Sequence, residues 1–411
     1  MSLPSELNPF IQRAREIHRR LTVASPYFEY YGYDSLFKDR GAPQCDLEKI
    51  DAAHVRCFGI ALANGGASYF QIGPDEYQPA TTDLDWVFDR LVRNFDIALA
   101  TARKCSRLRV VQTARDLAPD PADSAFGVIP LVTSHTWMRD LEAVDVMFEH
   151  GLRISHCAGI ICNRWNRSYP PTKVNGKQAP VLTEFGREVV ARMNELGIVL
   201  DMAHMSDEST DAIIEASAKP VVDGHTGSRT VIPACRGHGD ATLRKIANRG
   251  GVAGIHFADH LFTPKVWKNK YLADDHPVAQ PLWEWNRYLL AEIQDPEQRL
   301  NLRKNRAEQE KFFRQHNLPV ARPPESEERI ATVADMADHV DHLVNVMGIE
   351  HVGLGGDVNG ITLHSWPAGM DHVGELPHLT AELLRRGWTD DHLEKFLSAN
   401  WLRVWRDCLP G

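Results

Sequence analysis

Two histidines and one aspartate carry the clearest chemical signal in the chain. His204 and His225 lie 21 residues apart, each closing a short apolar run: Ile198-Val199-Leu200-Asp201-Met202-Ala203-His204 and Pro220-Val221-Val222-Asp223-Gly224-His225. Asp357 closes a third, His351-Val352-Gly353-Leu354-Gly355-Gly356-Asp357. Between the histidines, Asp207–Ala218 has the length and apolar spacing of one helix, so this part of the chain reads strand–helix–strand with an imidazole at each strand tip. In a parallel barrel those tips open on one mouth, which lets rings distant in sequence converge. Neutral imidazoles beside a carboxylate suit zinc, and a metal with an open coordination position activates water for hydrolysis.

The elements that must position these residues follow a βα rhythm. Candidate strands fall near Thr22–Pro26, Val55–Leu62, Arg109–Gln112, Gly127–Thr133, Leu152–Cys157, Ile198–Met202, Pro220–Asp223, Val252–Phe257 and His351–Gly355, with helical patterns between them. An eight-stranded barrel has one strand too many in that set, and Arg109–Gln112 is the weakest. The clearest helices are Phe185–Leu196, Leu243–Asn248, Val333–Met347 and His392–Leu402; the first follows a Thr183 cap and stops before Gly197. The fold class expected is α/β, a single (β/α)8 TIM-like barrel over residues 1–411. Residues 281–330 break the rhythm as a solvated helical insertion that ends in the proline-rich connector Leu318–Glu325.

Bulk properties exclude several classes of function. A net charge of −9, with 43% hydrophobic and 25% charged residues, describes a soluble globular chain with no footprint for nucleic acid or anionic lipid. Seven cysteines without a C-x-x-C pair fit reduced thiols, and no run approaches the roughly 20 apolar residues that span a bilayer. The location expected is the cytoplasm, with no membrane partner.

Several segments together resemble the membrane-dipeptidase family of metallopeptidases (renal dipeptidase-like, peptidase family M19), a branch of the amidohydrolase barrels. Leu182-Thr183-Glu184-Phe185-Gly186 through Asp201-Met202-Ala203-His204 is similar to the family's stretch ending in D-L-S-H. Pro220 to Arg229 resembles P-V-x-x-S-H-S-x-x-R, and Arg236-Gly237-His238-Gly239-Asp240 resembles R-N-x-x-D. His339 to His342, then Gly348 to Asp357, resembles H-x-x-H followed by G-I-x-H-V-G-x-G-S-D. The resemblance implies a metal-dependent hydrolase acting on a small substrate with a free carboxylate, a dipeptide or N-acyl amino acid, and implies a homodimer. Carried over by position, His204 and His225 fall on metal ligands, Arg236 on the arginine that receives the substrate carboxylate, and Asp357 on the last-strand aspartate.

Other positions of the pattern are altered. Where the family has H-x-D on the first strand, this chain reads Ala24-Ser25-Pro26-Tyr27-Phe28-Glu29. One register puts Tyr27 and Glu29 on the ligand positions, and a shift by one puts Pro26 and Phe28 there; the first keeps two oxygen donors. The family's bridging glutamate meets Val132, and its substrate-touching histidine meets Gly159. A paired metal centre without its bridge would set two cations close together with little negative charge between them. One zinc per chain is therefore expected, on His204, His225 and Glu29, with Asp357 as catalytic base and Arg236, Tyr27 and His135 binding substrate. His156 is read as buried on its strand, and His339 and His342 as packing residues. A metal-free binding protein, or a lyase or isomerase built on the same residues, is the alternative.

Overall fold

A computed structural model describes residues 5–29, 44–64, 69–73, 76–117, 125–133, 137–157, 173–174, 177–178, 180–233, 237–266, 279–318, 329–361 and 365–411. Eight parallel strands form the central sheet: β1 (Val23–Glu29), β2 (Val55–Asn64), β6 (Phe126–Thr133), β7 (Ile154–His156), β10 (Val199–Asp201), β11 (Asp223–Thr226), β12 (Ala253–His256) and β13 (Val352–Val358). They pair in the order β10-β7-β6-β2-β1-β13-β12-β11. A parallel bridge between Asp201 and Val222 joins the two ends into a nearly closed (β/α)8 barrel. The surplus candidate at Arg109–Gln112 is the short strand β5 (Leu108–Val110), which lies off this ring and pairs with β6. The strand expected at Pro220–Asp223 starts later because Val222 meets β10 through a single bridge, whereas the ladder to β12 begins at Asp223.

Strand alternation sorts the apolar side chains into two layers. Phe28, Phe58, Ile60, Val128, Val132, Leu200 and Leu354 pack outward in one cluster with the helices. Tyr27, Ala61, Ile129, Leu131, Ile154, Val199 and Val222 form a second cluster, inside the ring, with Trp401 and Trp405 of the last helix. Trp401 donates its indole N–H to the Leu354 carbonyl at 2.8 Å and fills the place where a Cβ on Gly353 would stand. The last helical stretch, expected as one piece over His392–Leu402, is interrupted by a π-turn at Lys395–Ala399. The extra residue re-phases the face, so Phe396 and Leu397 serve the outer layer while Trp401 and Trp405 enter the inner one.

The helix Glu184–Leu196 has the expected ends: Thr183 Oγ1 accepts from the Gly186 N–H, and Gly197 turns the chain at φ +80°. Three helices, Ala279–Glu292, Pro296–Lys304 and Arg306–Gln315, occupy the insertion. They are not merely solvated. Trp285, Leu289, Phe312 and Phe313 share a buried cluster with Phe70 and Ile72 of β3 (Tyr69–Gly73). That strand belongs to a second sheet in the order β3-β4-β8-β9, with β4 at Glu76–Pro79, β8 at Lys173–Val174 and β9 at Lys177–Gln178. Most of the connector Leu318–Glu325 lies outside the described residues. No described helix is long and apolar enough to cross a membrane.

Candidate metal and catalytic site

The C-terminal ends of β10 to β13 bring the three residues first singled out to one place. His204 and His225 face each other with Nε2 atoms 3.3 Å apart. Two nitrogens each about 2.05 Å from a tetrahedral ion stand roughly 3.3 Å apart, so this pair fits shared ligation of one cation. His225, His256 and Asp357 each offer a donor atom, and those atoms lie within 4.8 Å of one another. His256 Nε2 is 3.1 Å from Asp357 Oδ2, and both residues are buried.

Backbone geometry is unusual where the donors emerge. His204 has φ +67°, Asp357 has φ +69°, and Gly356 before it has φ +116°. Non-glycine residues in this region cost about 1–3 kcal/mol each and persist where surrounding structure enforces them. One enforcing element is Asp201, fully buried at the tip of β10. Its Oδ1 accepts from the Ala203 N–H at 2.9 Å and the Gly224 N–H at 2.8 Å, tying the turn that carries His204 to the strand that carries His225. A Cβ at Gly224 would overlap the Asp201 carboxylate, so any side chain there would have to displace it. His156 is buried as expected, with Nε2 3.3 Å from Asp201 Oδ2.

A second brace holds the loop after β11. His238 is buried between Asp223 and Asp207, with Nε2 3.1 Å from the first and Nδ1 2.8 Å from the second. Burial alone would lower its pKa, but the hydrogen bonds and charges of the two aspartates outweigh it and hold it at about 9. Burial likewise works against the Asp207 carboxylate, yet His238 and Arg229 keep its pKa below the ordinary value. The H-x-x-H pair on the helix Val333–Met347 packs, as expected. His339 accepts from the Ser228 N–H at 2.8 Å, and burial drops its pKa to about 4; His342 meets Asp240.

Among the described side chains, the opposite side of the mouth is packed by apolar and aromatic groups. The Tyr27 ring stacks on His225 at 4.2 Å and on His156 at 4.8 Å between centroids. Glu29 is the last residue of β1. Val132 points into the outer layer, so alternation makes Thr133 the inner residue at the tip of β6; either way β6 carries no carboxylate. Arg236, His135 and Gly159 lie outside the described residues. The site residue missed in the sequence is His256. Its signal was the same as that of His204 and His225, an apolar run closed by histidine.

Fold and mouth together define a (β/α)8 barrel with a histidine–carboxylate centre at the C-terminal ends of its strands. The membrane dipeptidase family (peptidase family M19) matches residues 12–408, and the chain belongs to that family. Dipeptidase 3 of Rattus norvegicus is 26% identical over 285 residues, which are 68% of this chain and 44% of that protein. Dipeptidase tcpJ of Claviceps purpurea is 24% identical over 263 residues, 62% of this chain and 46% of that protein. The match thus spans less than half the length of these curated relatives. Among solved structures, the probable dipeptidase PvdM from Pseudomonas aeruginosa superposes with a TM-score of 0.72 at 20% identity, covering 98% of this chain and 99% of that one. A metallo peptidase from Rhodobacter sphaeroides, liganded with a phosphinate mimic of the dipeptide L-Ala-D-Ala, gives 0.62 at 19% identity, covering 90% and 92%.

Proposed function

We propose that this protein hydrolyses an amide bond in a small carboxylate-bearing substrate, a dipeptide or N-acyl amino acid, using one zinc ion at the barrel mouth. The observation that carries the reading is the 3.3 Å approach of the His204 and His225 Nε2 atoms, whose spacing suits a single shared ion. Those two imidazoles would hold it, with Glu29 as the oxygen donor from β1. When bound, zinc supplies a Lewis acid and lowers the pKa of a coordinated water. Asp357 accepts a proton at its carboxylate and returns it to the departing amine. Arg236 receives the substrate carboxylate, an anion that a guanidinium binds bidentately. Tyr27 and His135 line the substrate side, and Tyr27 excludes water beside His225.

The dipeptide mimic held by the Rhodobacter sphaeroides relative makes L-Ala-D-Ala the first substrate to try. The test is elemental analysis of protein purified without added metal or chelator, followed by a dipeptide screen. About one zinc per chain, lost in a His204→Ala/His225→Ala variant together with hydrolysis, is expected. Near-zero zinc with no uptake on titration, or full turnover by metal-stripped protein, overturns the reading.

A further inference from the structure

We propose that Gln44, in the segment that follows β1, is a positioning residue that locks the turn carrying Asp357. The need for a lock follows from the backbone. Asp357 and Asn359 flank Val358, the last residue of β13, and both sit at left-handed φ, +69° and +67°. Such conformations in non-glycine residues persist where their surroundings enforce them. One enforcing bond is internal: the Asp357 carbonyl accepts from the Gly360 N–H at 3.0 Å and closes a four-residue turn. The parallel ladder from β1 does not reach further, because its last rung pairs Phe28 with Val358.

Gln44 takes over where that ladder stops. Its Oε1 accepts from the Asn359 N–H at 2.8 Å, and its Nε2 donates to the Ile361 carbonyl. A primary amide offers an acceptor and a donor side by side, as a peptide group does. One side chain thus serves as the strand partner that the turn lacks. The Gln44 backbone is itself anchored, its carbonyl accepting from the Val373 N–H at 3.0 Å. Two residues on, Asp46 caps the helix Leu47–Ala52 by accepting from the Lys49 N–H at 2.9 Å.

Gln44 is buried with both amide atoms engaged by backbone, so it acts through Asp357 rather than on a substrate. Fixing the turn fixes the direction in which the Asp357 side chain leaves the strand. Proton transfer is sensitive to that direction, since a displacement of about 1 Å can cost about a hundredfold in rate. The proton-transfer role of Asp357 rests on the function proposed above; the lock on the turn does not.

The experiment is hydrogen–deuterium exchange resolved to single amides, on the wild type and on Gln44→Met. That variant keeps the length of the side chain and removes both hydrogen bonds. In the wild type the Asn359 N–H is expected to exchange at least about tenfold more slowly than an unstructured amide. In Gln44→Met its exchange should quicken roughly three- to tenfold, the scale of one lost hydrogen bond, while the amides of β12 keep wild-type rates. An unprotected Asn359 N–H in the wild type, or unchanged exchange in the variant, overturns the proposal.

The kinetic arm uses L-Ala-D-Ala. Gln44→Met is expected to lower kcat roughly ten- to a hundredfold at unchanged KM and zinc content. Thr183→Ala, which removes a helix cap, controls for lost stability and should keep the wild-type kcat. Wild-type kcat in Gln44→Met, or an equal loss in Thr183→Ala, also overturns the proposal. If the wild type neither takes up zinc nor cleaves dipeptides, the function proposed above falls while the exchange rates still decide the role of Gln44.

Discussion

The two halves of the barrel mouth are built on different principles. On the side of β10 to β13, Asp201, His204, Asp223, His225, His256 and Asp357 crowd the strand tips; Asp201 accepts from two backbone N–H groups, and close polar contacts join His204 to His225, His256 to Asp357 and Asp223 to His238. On the side of β1, β2 and β6, the described inner side chains Tyr27, Ala61 and Leu131 pack together in one cluster. Buried charge needs partners, since an unpaired buried carboxylate or imidazolium is costly; an apolar wall needs only close packing. The same strand framework accommodates both. What differs is that chemistry concentrated on one side must bring its own braces, and those braces are where the molecule is most sensitive.

Removing a donor from the polar half should have the largest effect. His225→Ala is expected to abolish zinc uptake and lower any dipeptide hydrolysis by at least about a hundredfold, the scale of losing a metal-activated water. Elemental analysis and kinetics on the same preparation check it. The matching change in the packed half, Val132→Ala, should leave zinc content unchanged, because Val132 belongs to the outer layer. If both variants lose zinc equally, the division between the halves is wrong.

Breaking a brace comes next. His238 has a pKa raised to about 9 against an ordinary 6.5, so the stability it supplies is complete below about pH 6.5 and is lost as the pH rises through 9. The shift corresponds to roughly 3 kcal/mol. His238→Phe should therefore destabilise the fold most at neutral or lower pH and progressively less toward pH 9. Denaturant melts at several pH values measure this; a deficit that grows with pH contradicts the assignment. A smaller loss, about 1–3 kcal/mol, is expected for Gly224→Ala, whose methyl group would displace the Asp201 carboxylate. Thermal melts of that variant read the outcome.

Much of the polar half was legible before the fold was known, and the reasons differ by residue. His204, His225 and Asp357 stood out because each closes an apolar run, and one helix separates the two histidines. His256 closes a run of the same kind, Val252-Ala253-Gly254-Ile255-His256, but a lone histidine in an apolar segment reads as core. Only the register of β12 against β13 sets it beside Asp357. The braces were hidden for a further reason: Asp201 and Gly224 matter through a shared volume 23 residues apart, and sequence spacing carries no record of such an overlap. In the packed half, the absence of a carboxylate from β6 was readable in its sequence. Which residue of that strand faces inward was not, because a shift of one residue in register exchanges inner for outer faces.

The finest test concerns Tyr27, the residue where the two halves touch. Its ring lies flat on His225 at 4.2 Å, so it belongs by packing to the apolar half and by contact to the polar one. Tyr27→Phe keeps the ring, the stacking and the excluded water, and removes only a hydroxyl. If the packed half works by shape, the variant should melt within a few degrees of wild type, a change below about 1.5 kcal/mol, and bind the same amount of zinc. A phenol can ligate a cation only by giving up a proton whose ordinary pKa is near 10, which makes the hydroxyl a weak candidate beside two imidazoles. A drop in zinc stoichiometry in Tyr27→Phe would reverse that ranking. It would move Tyr27 into the metal centre beside Glu29, the donor proposed on the same strand.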